Sequence, residues 1–161
     1  SCRIPMRNTF ANLVLKEMKK NDNIYLIVGD VGYGVFDEIK DTYPERFINP
    51  GAAEQLIVGM AAGLAMEEKI PIIYSITPFI LYRPFEFLRN LVNKENIPVK
   101  IVGSGRDKDY GALGFSHYAT DDEKILSSLE NIEIYKPDTP EEIDIENFLY
   151  NKKPCYLNLK R

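Results

Sequence analysis

Short, nearly continuous apolar runs constrain the fold of this chain more than any other feature of its sequence. IYLIV at 24–28 and IPIIYSI at 70–76 contain few polar breaks. Such runs are typical of strands buried on both faces, as in parallel sheets. Three more runs follow the same pattern, at 98–103, 132–135 and 155–159. We therefore predict five buried strands.

Apolar residues at helical spacing separate these strands. Phe10, Val14 and Met18 repeat in this way before the first strand, and Asn21 ends the pattern. Four further helical patterns follow, at about 52–68, 82–94, 120–130 and 139–151. This alternation predicts an α/β fold, a parallel sheet with helices on both faces. The length of 161 residues fits a single domain over 1–161.

Two of the predicted helices have recognisable start signals. Thr120 is followed three residues later by Glu123, and Thr139 with Pro140 is followed by Glu142. Both pairs fit the capping box, in which the threonine and the glutamate satisfy free N–H groups at the helix start. We expect helices to begin at both threonines.

In open parallel sheets, ligands bind outside the carboxyl ends of the strands. The loops that leave those ends are predicted at 29–36, 75–82 and 103–118. Glycine allows the backbone to turn sharply or to approach a ligand closely. The first and third of these loops contain Gly29, Gly32, Gly34, Gly103, Gly105, Gly111 and Gly114. The sequence therefore predicts a ligand site at this edge of the sheet.

Charge and composition argue against several partners and locations. The net charge of −4 makes nucleic acid an unsuitable partner, because phosphate binding needs a basic stripe. No apolar run approaches the roughly 18 residues of a membrane span, and SCRIPMRNTF has no signal-peptide apolar region. Cys2 and Cys155 lack metal or redox spacing, which indicates reduced thiols. We predict a cytoplasmic protein.

Glu54 is the residue that its surroundings explain least. It begins the helical segment EQLIVGMAAGLA, in which most of the following residues are apolar or small. The helix dipole would stabilise its negative charge by about 0.3–1 kcal/mol. A helix exposed to solvent would give the same stabilisation, so the dipole does not explain why this carboxylate starts an apolar helix. A carboxyl group removed from water tends to hold or share a proton. We expect a basic group to face Glu54.

Four other candidates lie in the predicted loops. Asp30, at the end of the first strand, is a turn former or a ligand contact, although its loop GDVGYG lacks the dinucleotide-binding spacing. Phe79 and Tyr82 belong to the core or form a platform for a planar heterocycle. His117, the only histidine, ends the glycine-rich loop as a structural residue or as a substrate contact that can shuttle protons.

Several segments, taken in order, resemble those of one family. YPERFINPGAAEQLIVGMAAGLA at 43–65 resembles the "P-x-R-F-x-N-x-G-I-A-E-Q…AAGLA" segment of the transketolase group of thiamine diphosphate enzymes. YSITPFILYRPFEFLRN at 74–90 is similar to its Ser-Thr-Phe segment, and GALGFSHYATDD at 111–122 to its Gly-x-x-His segment. ENIEIYKPDTPEE at 130–142 resembles a further segment of the family. The resemblance covers about residues 6–161 and implies a pyrimidine-binding domain.

This resemblance implies a role for each candidate residue. Glu54 matches the glutamate that activates the cofactor by sharing a proton with a ring nitrogen of its aminopyrimidine. Phe79 matches the aromatic residue that stacks on the pyrimidine, with Tyr82 beside it. Asp30 resembles an acidic residue near the cofactor, and His117 resembles a histidine that contacts the oxygens of the sugar substrate. The implied reaction moves a two-carbon ketol unit between sugars.

The chain also departs from the family pattern. The family binds the cofactor's diphosphate through a metal held by Gly-Asp-Gly and later asparagines, whereas Gly29-Asp30 is followed here by Val31. We expect the family's usual third domain to be missing as well. These departures imply a split enzyme, in which the diphosphate and Mg²⁺ (or Ca²⁺) are held by a larger partner subunit. Two copies of each chain would form an α2β2 heterotetramer.

Substrate choice and the class of reaction stay open. Ordinary transketolases carry an acidic pair before Gly-x-x-His, where this chain has Ala112 and Leu113. Arg106 has two interpretations: it contacts the phosphate of an acceptor substrate, or it is a loop charge exposed to solvent. Two rival interpretations are a β subunit of a 2-oxoacid dehydrogenase, which shares the fold and the glutamate, and a non-catalytic domain of an assembly.

Overall fold

A parallel sheet forms the centre of the computed structural model, which describes residues 4–161 and so leaves Cys2 outside the described residues. Its six strands are β1 Ile24–Val28, β2 Phe47–Ile48, β3 Ile70–Ile76, β4 Lys100–Ser104, β5 Glu133–Tyr135 and β6 Cys155–Leu159. Every neighbouring pair is parallel, and the spatial order is β2-β1-β3-β4-β6-β5. The predicted fold class is confirmed.

Helices cover both faces of this sheet. The α-helices are α1 Met6–Lys20, α2 Asp37–Thr42, α3 Glu54–Met66, α4 Thr77–Tyr82, α5 Phe85–Phe87, α6 Asp122–Leu126 and α7 Ile145–Tyr150. Short 3-10 helices lie at Pro44–Arg46, Gly111–Leu113, Phe115–His117 and Pro140–Glu142, and α5 continues as a π-helix, Leu88–Asn93. Phe10 of α1 and Phe148 of α7 are buried on one face. Ile57 of α3 and Leu126 of α6 are buried on the other.

The apolar runs predict most strands correctly. The strands expected at 24–28, 70–76 and 155–159 have those bounds. The strand expected at 98–103 is β4, which begins two residues later than predicted. Pro98 has no N–H group to give to a strand ladder, which explains the later start. The strand β2 and the helix α2 were not predicted, because two and six residues are too short for a periodic signal.

The prediction of a loop at 75–82 is wrong. The strand β3 runs to Ile76 and α4 begins at Thr77, so no residue separates them. Pro78 in the first turn of α4 suits a helix start, because its missing N–H would have no partner there. The buried Thr77 hydroxyl donates to the carbonyl oxygen of Gly105 at 2.7 Å. This bond fixes α4 to the end of the neighbouring strand.

One of the two predicted capping boxes is present. The backbone N–H of Thr139 donates to Glu142 Oε2 at 3.3 Å, but the pair starts a 3-10 helix rather than an α-helix. The other prediction is wrong, because α6 begins at Asp122 after Asp121, without a side-chain cap. Thr120 lies one residue too early to serve there.

Two glycines, Gly103 in β4 and Gly105 just after it, are required by packing. A Cβ atom at Gly103 would lie 2.6 Å from Thr77 Oγ1. Gly105 has a φ of +95°, and a Cβ there would lie 2.5 Å from the Tyr110 ring. At these two positions the backbone thus approaches side chains of the protein rather than a ligand.

Candidate functional site

Glu54 is buried at the edge of the sheet where the strands end. It is the first residue of α3, and 3% of it is exposed. Its Oε1 atom accepts a hydrogen bond from Arg83 Nη1 at 3.0 Å. The expectation that a basic group faces Glu54 is therefore confirmed. The carboxylate also lies at the positive end of the α3 dipole, which favours negative charge.

Arg83 joins Glu54 to the aromatic ring of Phe79. Arg83 follows the last residue of α4, one helical turn after Phe79, so the two side chains lie on the same side of that helix. The guanidinium carbon Cζ is 3.8 Å from the centroid of the Phe79 ring, within the range of a cation–π contact. A single guanidinium thus contacts both the carboxylate and the ring.

His117 lies on another side of the Phe79 ring. The two ring centroids are 4.9 Å apart and the planes are inclined by 68°, which is an edge-to-face contact. The His117 Nδ1 atom is 3.0 Å from the Ser116 hydroxyl oxygen. The structure therefore brings three sequence candidates, Glu54, Phe79 and His117, into one cluster, which Arg83 completes.

Tyr82 has a different partner from the one expected. Its hydroxyl donates to the carboxylate of Asp121, at the start of α6. Burial raises the pKa of the Tyr82 hydroxyl, and the bond to Asp121 raises it further. In this arrangement Tyr82 links α4 to α6, and its hydroxyl is engaged by the protein.

Asp30 belongs to a second cluster, with Tyr33 and Asn49. The Asp30 Oδ1 atom accepts from the Tyr33 hydroxyl and from Asn49 Nδ2, the latter at 3.3 Å. The Asn49 Oδ1 atom accepts in turn from the backbone N–H of Asp30 at 3.1 Å. The hydrogen bond from Tyr33, followed by that from Asn49, lowers the pKa of Asp30. Asp30 is exposed and has a φ of 57°.

Arg106 is buried in the domain. It is 6% exposed, so the expectation of a solvated loop charge is wrong. Its Nε atom donates to Asn158 Oδ1 at 2.7 Å, and its Nη1 atom donates to Asp138 at 3.0 Å. Its Nη2 atom donates to the carbonyl oxygens of Pro137 and Asn158, at 2.7 and 3.1 Å. These bonds hold the loop after β4 against β6.

An open cleft of about 510 Å³ lies over the start of α3, lined by Ala52, Ala53, Glu54, Gln55, Leu56 and Arg83. Small-molecule sites have volumes of about 300–1,000 Å³. The Glu54 carboxylate in this lining suits a heterocycle with a basic ring nitrogen that can share a proton, and Arg83 connects the cleft to the Phe79 ring.

The described residues offer neither a metal centre nor a membrane span. Over residues 4–161, no three His, Cys, Asp or Glu side chains come together in a way that could hold a metal ion. In the same part of the chain, every helix is too short or too polar to cross a bilayer.

Three residues of these clusters were missed by the sequence analysis: Arg83, Tyr33 and Asn49. The expected basic partner of Glu54 is Arg83, and its spacing of four residues from Phe79 was the available signal. Asn49 and Tyr33 had no such signal, because Asn49 is 19 residues from Asp30 and Tyr33 lies with Asp30 in a predicted loop, where spacing does not define a shared face.

A buried carboxylate, an aromatic ring and an imidazole at the carboxyl edge of a parallel sheet define an α/β ligand-binding domain. The family model "Transketolase, pyrimidine binding domain" matches residues 3–161. The chain therefore belongs to the transketolase family, as a pyrimidine-binding domain.

Its relatives include parts of transketolases. A subunit of the apulose-4-phosphate transketolase of Actinobacillus succinogenes is 36% identical over 100 residues, which are 62% of this chain and 32% of that protein. "Putative transketolase C-terminal section" of Methanocaldococcus jannaschii is 34% identical over 133 residues, 82% of this chain and 42% of that protein. The matched part of this chain thus spans 32% of the length of the first relative and 42% of the length of the second.

Solved structures agree with this assignment. "Split gene transketolase, inactive beta4 tetramer" has a TM-score of 0.86 and 26% identity, and the match covers 99% of this chain and 52% of that one. A transketolase from Campylobacter jejuni has a TM-score of 0.84 at 14% identity over 99% of this chain and 26% of that one, which shows the shared fold.

Proposed function

We propose that this chain supplies the pyrimidine half of the active site in a thiamine diphosphate-dependent transketolase-type enzyme. The observation that carries the proposal is the buried Glu54 carboxylate, joined through Arg83 to the Phe79 ring, in a domain of this family. The enzyme would transfer a two-carbon ketol unit between sugar phosphates. When bound, thiamine diphosphate supplies the nucleophilic carbon that carries this unit.

Three residues of the chain would act on cofactor and substrate. Glu54 shares a proton with a ring nitrogen of the aminopyrimidine, and its burial strengthens this hydrogen bond by excluding water. Phe79 orients the pyrimidine by stacking on it. His117, half-buried against Phe79, is placed to contact the oxygens of the sugar and to move a proton there.

Tyr82 and Asp30 would support the same site. Tyr82 fixes α4, and with it Phe79, through its bond to Asp121. Asp30 stays ionised because Tyr33 and Asn49 donate to it, so it presents a negative charge near the strand ends. We assign Arg106 no contact with substrate, because the protein itself engages its guanidinium.

A larger partner subunit would complete the site by holding the diphosphate and Mg²⁺ (or Ca²⁺). The names of the relatives support this proposal, since one is named as a transketolase subunit and another as a C-terminal section. The proposed assembly is α2β2 and works in the cytoplasm. The neighbour that forms a tetramer of beta chains supports self-association of this chain.

The surface for self-association would be the exposed face of α3. Leu56 and Met66 are 53% and 71% exposed, and Gly59 and Gly63 between them have open space around the position of a Cβ atom. These four residues recur at helical spacing, so they form one apolar, small-residue face. Exposed apolar patches mark interaction sites.

Gly63→Arg should therefore weaken self-association by at least about tenfold in sedimentation velocity, because a charged side chain would enter a close helix contact. Asn12→Arg is the matched control, since Asn12 is an exposed position of α1 on the opposite face of the sheet. If both variants self-associate as strongly as the wild type does, the α3 face is not the interface.

Reconstitution tests the proposed activity. We expect no ketol transfer by this chain alone, and transfer from a ketose phosphate to an aldose phosphate once the partner subunit, thiamine diphosphate and Mg²⁺ are added. The product is measured in a coupled assay. Decarboxylation of 2-oxoacids without sugar turnover would instead support the dehydrogenase interpretation. A complex that forms without either activity would support a non-catalytic role.

A further inference from the structure

The guanidinium of Arg83 lies where the aminopyrimidine is proposed to bind. It donates to the Glu54 carboxylate at 3.0 Å and lies over the Phe79 ring, with Cζ 3.8 Å from the ring centroid. These are the two contacts that the proposed function assigns to the cofactor ring, proton sharing with Glu54 and stacking on Phe79. One side chain therefore makes both contacts in the chain alone.

The chemistry of a guanidinium explains this match. It is planar and carries N–H groups in its own plane, so it can stack on an aromatic ring and donate sideways to a carboxylate. A protonated aminopyrimidine has the same two properties. Both groups also neutralise the buried charge of Glu54, which would otherwise be costly to keep without a partner.

Arg83 is placed so that it can leave. Its side chain is 49% exposed, whereas that of Glu54 is 3% exposed, so the arginine reaches the carboxylate from the solvent side. Solvent screens the ion pair from the side of the arginine and already hydrates part of its guanidinium, so the release of Arg83 exposes little that was not in water before. A rotation of the Arg83 side chain would free both Glu54 and Phe79 and return the guanidinium to water.

We propose that Arg83 is an internal occupant of the pyrimidine site, a closing contact that a cofactor must displace. This proposal rests on the proposed function, because it assumes that the pyrimidine binds between Glu54 and Phe79. In the free chain Arg83 keeps the buried carboxylate paired, and it lowers the affinity of the half-site for any pyrimidine. Binding of the cofactor then includes the loss of the pair between Arg83 and Glu54.

The test uses the isolated chain, residues 1–161, and two probes without a diphosphate group, and NMR titration measures their binding. Thiamine carries a positive charge, and 4-amino-5-hydroxymethyl-2-methylpyrimidine is neutral near pH 7. We expect Arg83→Gln to lower the Kd for both probes by about three- to tenfold, because no internal group has to leave. Methylguanidinium should raise both Kd values of Arg83→Gln at constant ionic strength, and those of the wild type far less.

Arg89→Gln is the matched control. It removes the same charge from the helical segment that follows α4, where Arg89 donates to the neighbouring Asn90 at 2.8 Å. Its Kd values should equal those of the wild type. If Arg83→Gln tightens thiamine but not the neutral pyrimidine, charge repulsion explains the effect and the proposal is overturned. Unchanged or weaker binding of both probes by Arg83→Gln also overturns it.

Two further variants separate this proposal from the proposed function. Glu54→Gln and Phe79→Ala should each weaken binding of both probes if the pyrimidine site is where we place it. If both variants bind as the wild type does, the location of the site is wrong and the role of Arg83 fails with it. If both weaken binding while Arg83→Gln does not strengthen it, the site stands and only the closing contact is rejected.

Discussion

Replacing Glu54 by glutamine is expected to lower kcat for ketol transfer by the assembled enzyme by about 10²- to 10⁴-fold, the usual contribution of a positioned acid–base group. Glutamine nearly preserves the size and shape of the side chain, so α3 should still begin at the same place. The amide cannot hold or release a proton, however, and its oxygen is a weaker acceptor than a carboxylate. The loss should therefore appear in kcat more than in KM for the sugars.

The measurement is a steady-state assay of the reconstituted complex, with sedimentation to show that the complex still forms. Glu86→Gln serves as the control, because Glu86 is exposed on α5 and loses the same charge. It should retain the activity of the wild type. Full activity of an intact Glu54→Gln complex would remove Glu54 from the mechanism and favour the assembly-domain interpretation.

Arg106→Met is expected to lower the free energy of unfolding by about 3–5 kcal/mol, because it leaves buried acceptors without their charged donor. Asn158, on the fully buried strand β6, loses bonds to its side chain and its carbonyl oxygen, and Pro137 loses one to its carbonyl oxygen. Methionine fills a similar volume, so the lost hydrogen bonds rather than a cavity should dominate the effect.

Urea denaturation of the isolated chain provides the measurement. The control is Lys108→Met, which removes a positive charge from an exposed position of the same loop and should change stability by less than about 0.5 kcal/mol. If Arg106→Met is as stable as the wild type and instead raises KM for a phosphorylated acceptor, Arg106 would be a substrate ligand after all.

The fold was predictable because its signal is local. Each buried strand of five or more residues coincides with an apolar run in the sequence. A parallel sheet follows from the alternation of such runs with helices. The position of Glu54 was informative for a similar reason, since a carboxylate at the start of an apolar helix is conspicuous in the sequence itself. The fold and the family are thus the parts that local patterns define.

The partners of these residues were not predictable in the same way. Arg83 is 29 residues from Glu54, and Arg106 is 52 residues from Asn158, so both pairs depend on how separate segments meet. An arginine in a glycine-rich loop is usually solvated, and only the fold shows that β6 and the segment at 137–138 enclose Arg106. The prediction of a loop at 75–82 is wrong because α4 begins directly after the last residue of β3.

The direct passage from β3 into α4 makes one stretch of this domain intolerant of changes in length. An α-helix turns by about 100° per residue, so an insertion or deletion between Ile76 and Phe79 would rotate the Phe79 ring away from Arg83 and His117. Thr77 prevents the helix from compensating, because its hydroxyl is bonded to the carbonyl oxygen of Gly105. The loop at 106–114 differs, because no α-helix starts directly from it whose rotation would aim a residue of the site. Natural length variation in relatives should therefore accumulate there and be absent from 76–79.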